Sequence, residues 1–146
     1  VCPYQDGALN DPRDVTYLPL SVEIAVAELS NNRVSIFNAE SGAFVRNFGH
    51  VIRANEAELT ANAGAKTQFP FKEPCAFAAA ELGHILVRDK GSSRLHVFSA
   101  EGGHLCTRDD LELQEDHAGL AWSSTDGGCL AIGNGNSNKA MVYGAF

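Results

Sequence analysis

The sequence predicts an all-β chain built from a repeated four-stranded antiparallel unit, and three observations carry that prediction. The first is alternation. Val34 and Ile36 alternate with polar Arg33 and Ser35, the period of two that sends successive side chains to opposite faces of a half-buried strand. The second is recurrence. Asn32-Arg33-Val34-Ser35-Ile36-Phe37-Asn38 returns as Ser93-Arg94-Leu95-His96-Val97-Phe98-Ser99, and more weakly as Asn138-Lys139-Ala140-Met141-Val142-Tyr143. The third is spacing. Ile24 to Phe37, Ile85 to Phe98 and Leu130 to Tyr143 each span 13 positions. In that frame Glu28, Asp89 and Asn134 are equivalent, as are Arg33, Arg94 and Lys139. The copies lie 61 and then 45 residues apart, a difference of 16. Four short strands in about 40–45 residues are the size of one β-propeller blade, so the extra residues mark an inserted loop.

In chain order, residues 1–10 read as the tail of a preceding segment, with a turn at Asp6-Gly7. Asp11-Pro12-Arg13-Asp14 reads as a second turn entering a strand over 15–18, which Pro19 stops. Residues 22–27 alternate again, and 28–32 form a polar hairpin loop. Strands over 33–37 and 44–48, joined by turn residues at 38–42, complete a first blade-like repeat at about 11–49.

Residues 50–68 break the rhythm. Ala, Glu and Leu over 50–59 favour a short helix, which Asn62-Ala63-Gly64 would end. Long loops in compact domains tend to carry function, so Arg53, Glu56 and Glu58 of this insertion are candidate partner-binding residues. The second repeat, at about 70–109, has strands over 75–79, 84–89, 94–98 and 104–107 with a hairpin at 90–93. The third, at about 116–146, has strands over 119–122, 129–132 and 139–143, and Phe146 leaves no room for a fourth.

Composition narrows the class. At 146 residues with 45% hydrophobic and 20% charged, the chain can bury a sizeable core and is not of the disordered type. No apolar run approaches the roughly 18–20 residues of a membrane helix. There is no starting Met, basic n-region or apolar h-region, so no signal peptide is visible and the N-terminus reads as processed or truncated. Eleven basic residues face 18 acidic ones, a net charge of −7. That field disfavours nucleic acid, whose affinity rests on Lys and Arg neutralising phosphates. Cys2, Cys75, Cys106 and Cys129 show neither a CxxC pair nor zinc-ligand spacing. Reduced thiols are expected, the last three as small hydrophobes within strands. A cytoplasmic or other intracellular location is favoured.

Pro12-Arg13-Asp14-Val15, Ile24-Ala25-Val26-Ala27-Glu28, Asn32-Arg33-Val34-Ser35-Ile36-Phe37 and Gly42-Ala43-Phe44-Val45-Arg46-Asn47-Phe48-Gly49 together resemble an NHL repeat. Gln68-Phe69 with Pro74 is similar to the entry that precedes each NHL strand. The second repeat is a fair match, and the third lacks the proline and carries Lys139 in place of arginine. The resemblance implies a β-propeller. About three blades do not close a ring of ~4–8. The chain therefore reads as part of a six-bladed ring, completed by further blades or by a protein partner or second copy. Either way its flanking blade faces are expected to be apolar and covered.

Several constellations have both a sharp and a bland reading. Arg33, Arg94 and Lys139 could line one rim and bind a partner, or pair across each hairpin with Glu28, Asp89 and Asn134. Tyr17 and Trp122 fall at similar blade positions, as an aromatic contact surface or as packing between blades. Of the five histidines, only His96 lies in the repeated frame, at the place of Ser35 and Met141, whereas a propeller metal site needs histidines at matching places on several blades. There is no nucleophile elbow, paired-carboxylate motif, phosphate loop or cofactor fingerprint. Gly133-Asn134-Gly135-Asn136 reads as a hairpin turn. The expected function is a non-enzymatic protein-interaction scaffold or subunit of a larger complex. The alternatives are an RNA-binding platform, which the NHL resemblance implies, and a metal-dependent propeller lyase or hydrolase.

Overall fold

A computed structural model describes residues 7–49, 70–80, 83–111, 113, 119–124, 128–134 and 139–144. Three antiparallel sheets account for its strands. In the first, β1 (Pro12–Leu18), β2 (Glu23–Glu28), β3 (Arg33–Asn38) and β4 (Phe44–Phe48) lie side by side in chain order. The second repeats this with β5 (Pro74–Ala79), β6 (Ile85–Asp89), β7 (Arg94–Phe98) and β8 (His104–Arg108). The third holds β9 (Leu120–Ser123), β10 (Cys129–Asn134) and β11 (Lys139–Gly144). The 13-residue spacing has a direct cause: Ile24 pairs with Phe37, Ile85 with Phe98 and Leu130 with Tyr143 across successive strands. The predicted helix over 50–59 and the rest of the insertion lie outside the described residues.

The boundaries differ from the sequence reading at several places, and β10 runs on through Gly133 and Asn134, expected in a turn. β1 starts at Pro12 and β5 at Pro74, where the first had been expected to be a turn. Proline lacks the N–H a ladder needs but is tolerated at a strand's first residue. In both strands the register shifts immediately afterwards, between Pro12 and Asp14 and between Pro74 and Ala76, a bulge that absorbs the misfit. Glu28, expected in the hairpin loop, instead closes β2 opposite Arg33. The tight turn is then made by Asn32 at φ 49°, as it is in the second sheet by Ser93 at φ 55°.

Because side chains alternate along each strand, every sheet has two faces. In the first sheet, Ala25, Ala27, Val34, Ile36 and Phe48 point one way and pack on Phe77, Ile85, Val87 and Phe98 of the second, with Phe71. We call these the trailing face of the first sheet and the leading face of the second. The pattern recurs one sheet on. Ala78, Leu86 and Leu95 pack on Leu130 and Ile132, with Leu120, Trp122 and Tyr143 at the margin. Small alanines of one face thus receive bulky side chains of the next, the interdigitation close packing requires.

Polar contacts fix the same stack. Asp14 accepts a hydrogen bond from the Phe77 amide at 2.8 Å. Arg46 donates twice to Glu23, at 2.6 and 2.8 Å, and once to the Ala100 carbonyl at 2.6 Å, clamping the first sheet to the β7–β8 turn. Gly49, at φ +89°, is a point of close approach: a Cβ there would lie 2.1 Å from the Phe71 ring.

Candidate functional site

Two features of the stack bear on function: a buried acid in each of the first two sheets, and the uncovered faces at either end. The acids are Glu28 and Asp89, at equivalent places. Glu28 accepts hydrogen bonds from the Asn10 amide at 2.8 Å, from Asn31 Nδ2 at 2.6 Å, from Arg33 Nε at 2.7 Å and from the Ser35 hydroxyl. Asp89 accepts from the Lys72 amide at 3.1 Å, the Glu73 amide at 2.6 Å and the Ser92 hydroxyl at 2.7 Å. His96 Nε2 lies 3.8 Å away. The correspondence is residue by residue: Asn10 with Lys72, Asn31 with Ser92, Ser35 with His96. Each acid ties the second and third strands to the chain entering the first. Buried charge is tolerated only when so satisfied.

The Asp89 environment sets a pH dependence. Burial by itself raises its pKa. The His96 ring, the Glu73 amide, the Ser92 hydroxyl and the Lys72 amide outweigh that and hold the carboxyl below the ordinary aspartate value. A pKa lowered by folding contributes stability above the unfolded value, about pH 4, and that contribution is lost as pH falls through the folded value. Thermal melts of wild type and Asp89→Asn between about pH 5 and pH 2.5 are therefore expected to converge in acid. A constant separation would show that Asp89 is not the group concerned.

The sequence-predicted site residues fall in different places. Arg33 is not on a rim: its guanidinium is 4% exposed and its carboxylate partner Glu28 fully buried. Its terminal nitrogen also donates to the Ala8 carbonyl at 2.8 Å. Arg94 faces Asp89 across the β6–β7 register, yet is exposed, because the shorter acid turns toward the backbone amides and Ser92. Lys139 is exposed on β11, opposite Asn134. Arg53, Glu56, Glu58 and Cys2 lie outside the described residues. Cys75, Cys106 and Cys129 are free thiols. Cys106 departs from the expected interior position and is exposed, because β8 is the outermost strand of its sheet. Among the described residues no cluster of His, Cys, Asp and Glu converges as a metal site, and no helix is long and apolar enough to cross a membrane.

Tyr17 and Trp122 occupy the same place on the leading face of their sheets. Tyr17 pairs with Ile24, as Trp122 does with Leu130 and Ala79 with Ile85. Their surroundings differ. Trp122 packs at the margin of the second core, against the preceding sheet. No sheet among the described residues lies against Tyr17, which is 52% exposed. Its neighbour Val15 is 62% exposed, whereas Phe77 at the equivalent place is 3% exposed. Residues 7–10 cover this face over β2 to β4, with Asn10 and Ala8 on Glu28 and Arg33 and Gly7 against Phe44 and Phe37, and leave Val15 and Tyr17 of β1 exposed. At the other end, Val142 on the trailing face of the third sheet is 67% exposed, whereas Ile36, its counterpart, is fully buried.

The fold these observations define is a run of β-propeller blades. Neither a protein-family model nor a curated protein sequence matches the chain. Solved structures do. The chain is similar to U3-55K (TM-score 0.55, 17% identity, 93% of this chain and 40% of that one). It is similar also to the WD40 repeats of RRP9 (0.52, 17%, 92% and 38%) and to a streptogramin B lyase (0.56, 12%, 92% and 40%). At these identities the likeness is one of fold. The chain spans about two fifths of the chains it matches.

Proposed function

We propose that this chain is a non-enzymatic protein-interaction scaffold, a subunit of a larger assembly built on NHL-like propeller blades and completed by a protein that covers its end faces. One observation carries the reading: Val15 is 62% exposed at the place where the next sheet buries Phe77, and Tyr17 beside it is 52% exposed. Along β1 this face sets large apolar side chains in solvent. Support comes also from the repeated Asn-x-Arg-x-x-x-Phe-like text of the first sheet and from the net charge of −7, which suits a protein partner better than RNA. Arg94 and Lys139 remain candidates for polar contacts beside the covered face.

The test compares wild type with Tyr17→Asp by sedimentation of the tagged protein in cell extract. The wild type is expected in a particle heavier than the chain itself, unaffected by nuclease. Tyr17→Asp is expected to leave that particle with its melting temperature changed by no more than a few degrees, since the side chain is 52% exposed. A wild type sedimenting at its own mass would contradict the scaffold reading. Collapse of the particle on nuclease treatment would favour the RNA-binding alternative.

A further inference from the structure

We infer that the turn between β1 and β2, Pro19-Leu20-Ser21-Val22, is an apolar anchor for a partner protein segment that carries large apolar side chains among lysines. The inference rests on the scaffold reading above and adds to it a docking surface separate from the end faces. It starts from a residue out of place. Val22 stands two positions before Ile24, as Gly83 does before Ile85 and Gly128 before Leu130. All three have left-handed backbone, at φ 54°, 77° and 89°. Glycine adopts that conformation freely, whereas a β-branched side chain is strained in it. Burial does not offset the strain, because Val22 is 38% exposed. Strain held at an exposed side chain, where glycine serves the other two sheets, points to a use for that side chain outside the fold.

Leu20 extends the same surface. At 72% it is the most exposed large apolar side chain among the described residues. Its Cδ1 lies 3.5 Å from where a Cβ on Gly83 would stand, and the Ala100 Cβ lies 3.2 Å from that point. The turn therefore sits where the first two sheets already meet, at the junction that Arg46 ties through Glu23 and the Ala100 carbonyl. Its exposure is not that of an end face. The Ala39 amide donates to the Val22 carbonyl at 3.0 Å, which brings the β3–β4 turn and its exposed Glu40 alongside.

Charge selects the partner. At this end of the first two sheets the described turn residues include Glu40 and Glu101, both exposed, and no lysine or arginine. Arg13, Lys72, Lys90, Arg94, Arg108 and Lys139 all stand at or near the opposite ends of their strands. Two exposed apolar side chains flanked by acids complement leucines flanked by lysines.

The experiment is fluorescence anisotropy at physiological salt with three labelled peptides: an amphipathic leucine–lysine peptide, its leucine–glutamate counterpart and its serine–lysine counterpart. Wild type is expected to bind the leucine–lysine peptide at least about tenfold more tightly than either counterpart. Leu20→Ser and Val22→Gly are each expected to weaken that binding about tenfold or more. Val22→Gly is expected at the same time to melt no lower than wild type, because glycine relieves the strained backbone.

A wild type that binds the three peptides alike overturns the inference, since charge or apolar surface alone then suffices. One that binds none of them overturns it as well. So do variants that bind as tightly as wild type, and so does a Val22→Gly protein that melts lower, which would make Val22 part of the packing. The scaffold reading is judged separately, by the particle in cell extract, and stands in each of these cases if that particle persists.

Discussion

Replacing Arg33 with alanine is expected to lower the unfolding free energy by about 3–5 kcal/mol, the usual cost of stranding one partner of a buried ion pair. Glu28 is fully buried and would lose the guanidinium that faces it at 2.7 Å. The contact with the Ala8 carbonyl, which holds the entering chain against the sheet, would go too. Arg94→Ala, at the equivalent place of the second sheet, is expected to change stability by less than about 0.5 kcal/mol because its side chain is exposed. Urea denaturation of the two variants checks both. Equal losses would contradict the assignment of the two arginines to different surroundings.

Phe98→Ala is expected to have a comparable effect, about 3–5 kcal/mol. Phe98 is fully buried in the core between the first two sheets. Its ring centroid lies 4.9 Å from that of Phe48 and 5.4 Å from that of Phe71, so truncation opens a cavity bounded by two rigid strands. Tyr17→Ala, removing an aromatic ring of similar size, is expected to cost under about 0.5 kcal/mol in the dilute chain. The contrast separates an occupied blade face from an open one. A Phe98→Ala loss below about 1 kcal/mol, small for a phenylalanine truncated in a packed core, would mean the first two sheets do not share a core.

The sheets were legible in the sequence because strand alternation and the 13-residue pairing leave a periodic trace that needs no tertiary information. Prolines at the start of β1 and β5 were less so: read locally, Asp11-Pro12 is a turn, and only the bulge that follows makes it the first residue of a strand. The role of Arg33 was open between rim and ion pair. What decides it is the reach of the acid opposite. Glutamate at 28 extends to the guanidinium, whereas aspartate at 89, one methylene shorter, stays with the Lys72 and Glu73 amides. Asn31, Ser35, Ser92 and His96 escaped notice as hub partners because no single repeat makes them unusual. Their signal was there, in the shared offsets of three and seven residues from each acid. The likeness of Tyr17 and Trp122 was visible from position alone. Which of them is covered was not, because coverage depends on whether another sheet precedes the strand.

Tyr17 and Trp122 hold one blade position, covered in the third sheet and open in the first. Trp122 is the only tryptophan of the chain, so its emission reports that position without interference. A Tyr17→Trp, Trp122→Phe variant moves the single indole to the equivalent place on the first sheet. In dilute solution the wild type is expected to emit at short wavelength and resist acrylamide quenching. The variant is expected to emit at long wavelength and quench readily. Indistinguishable emission and quenching from the two proteins in dilute solution would contradict the account.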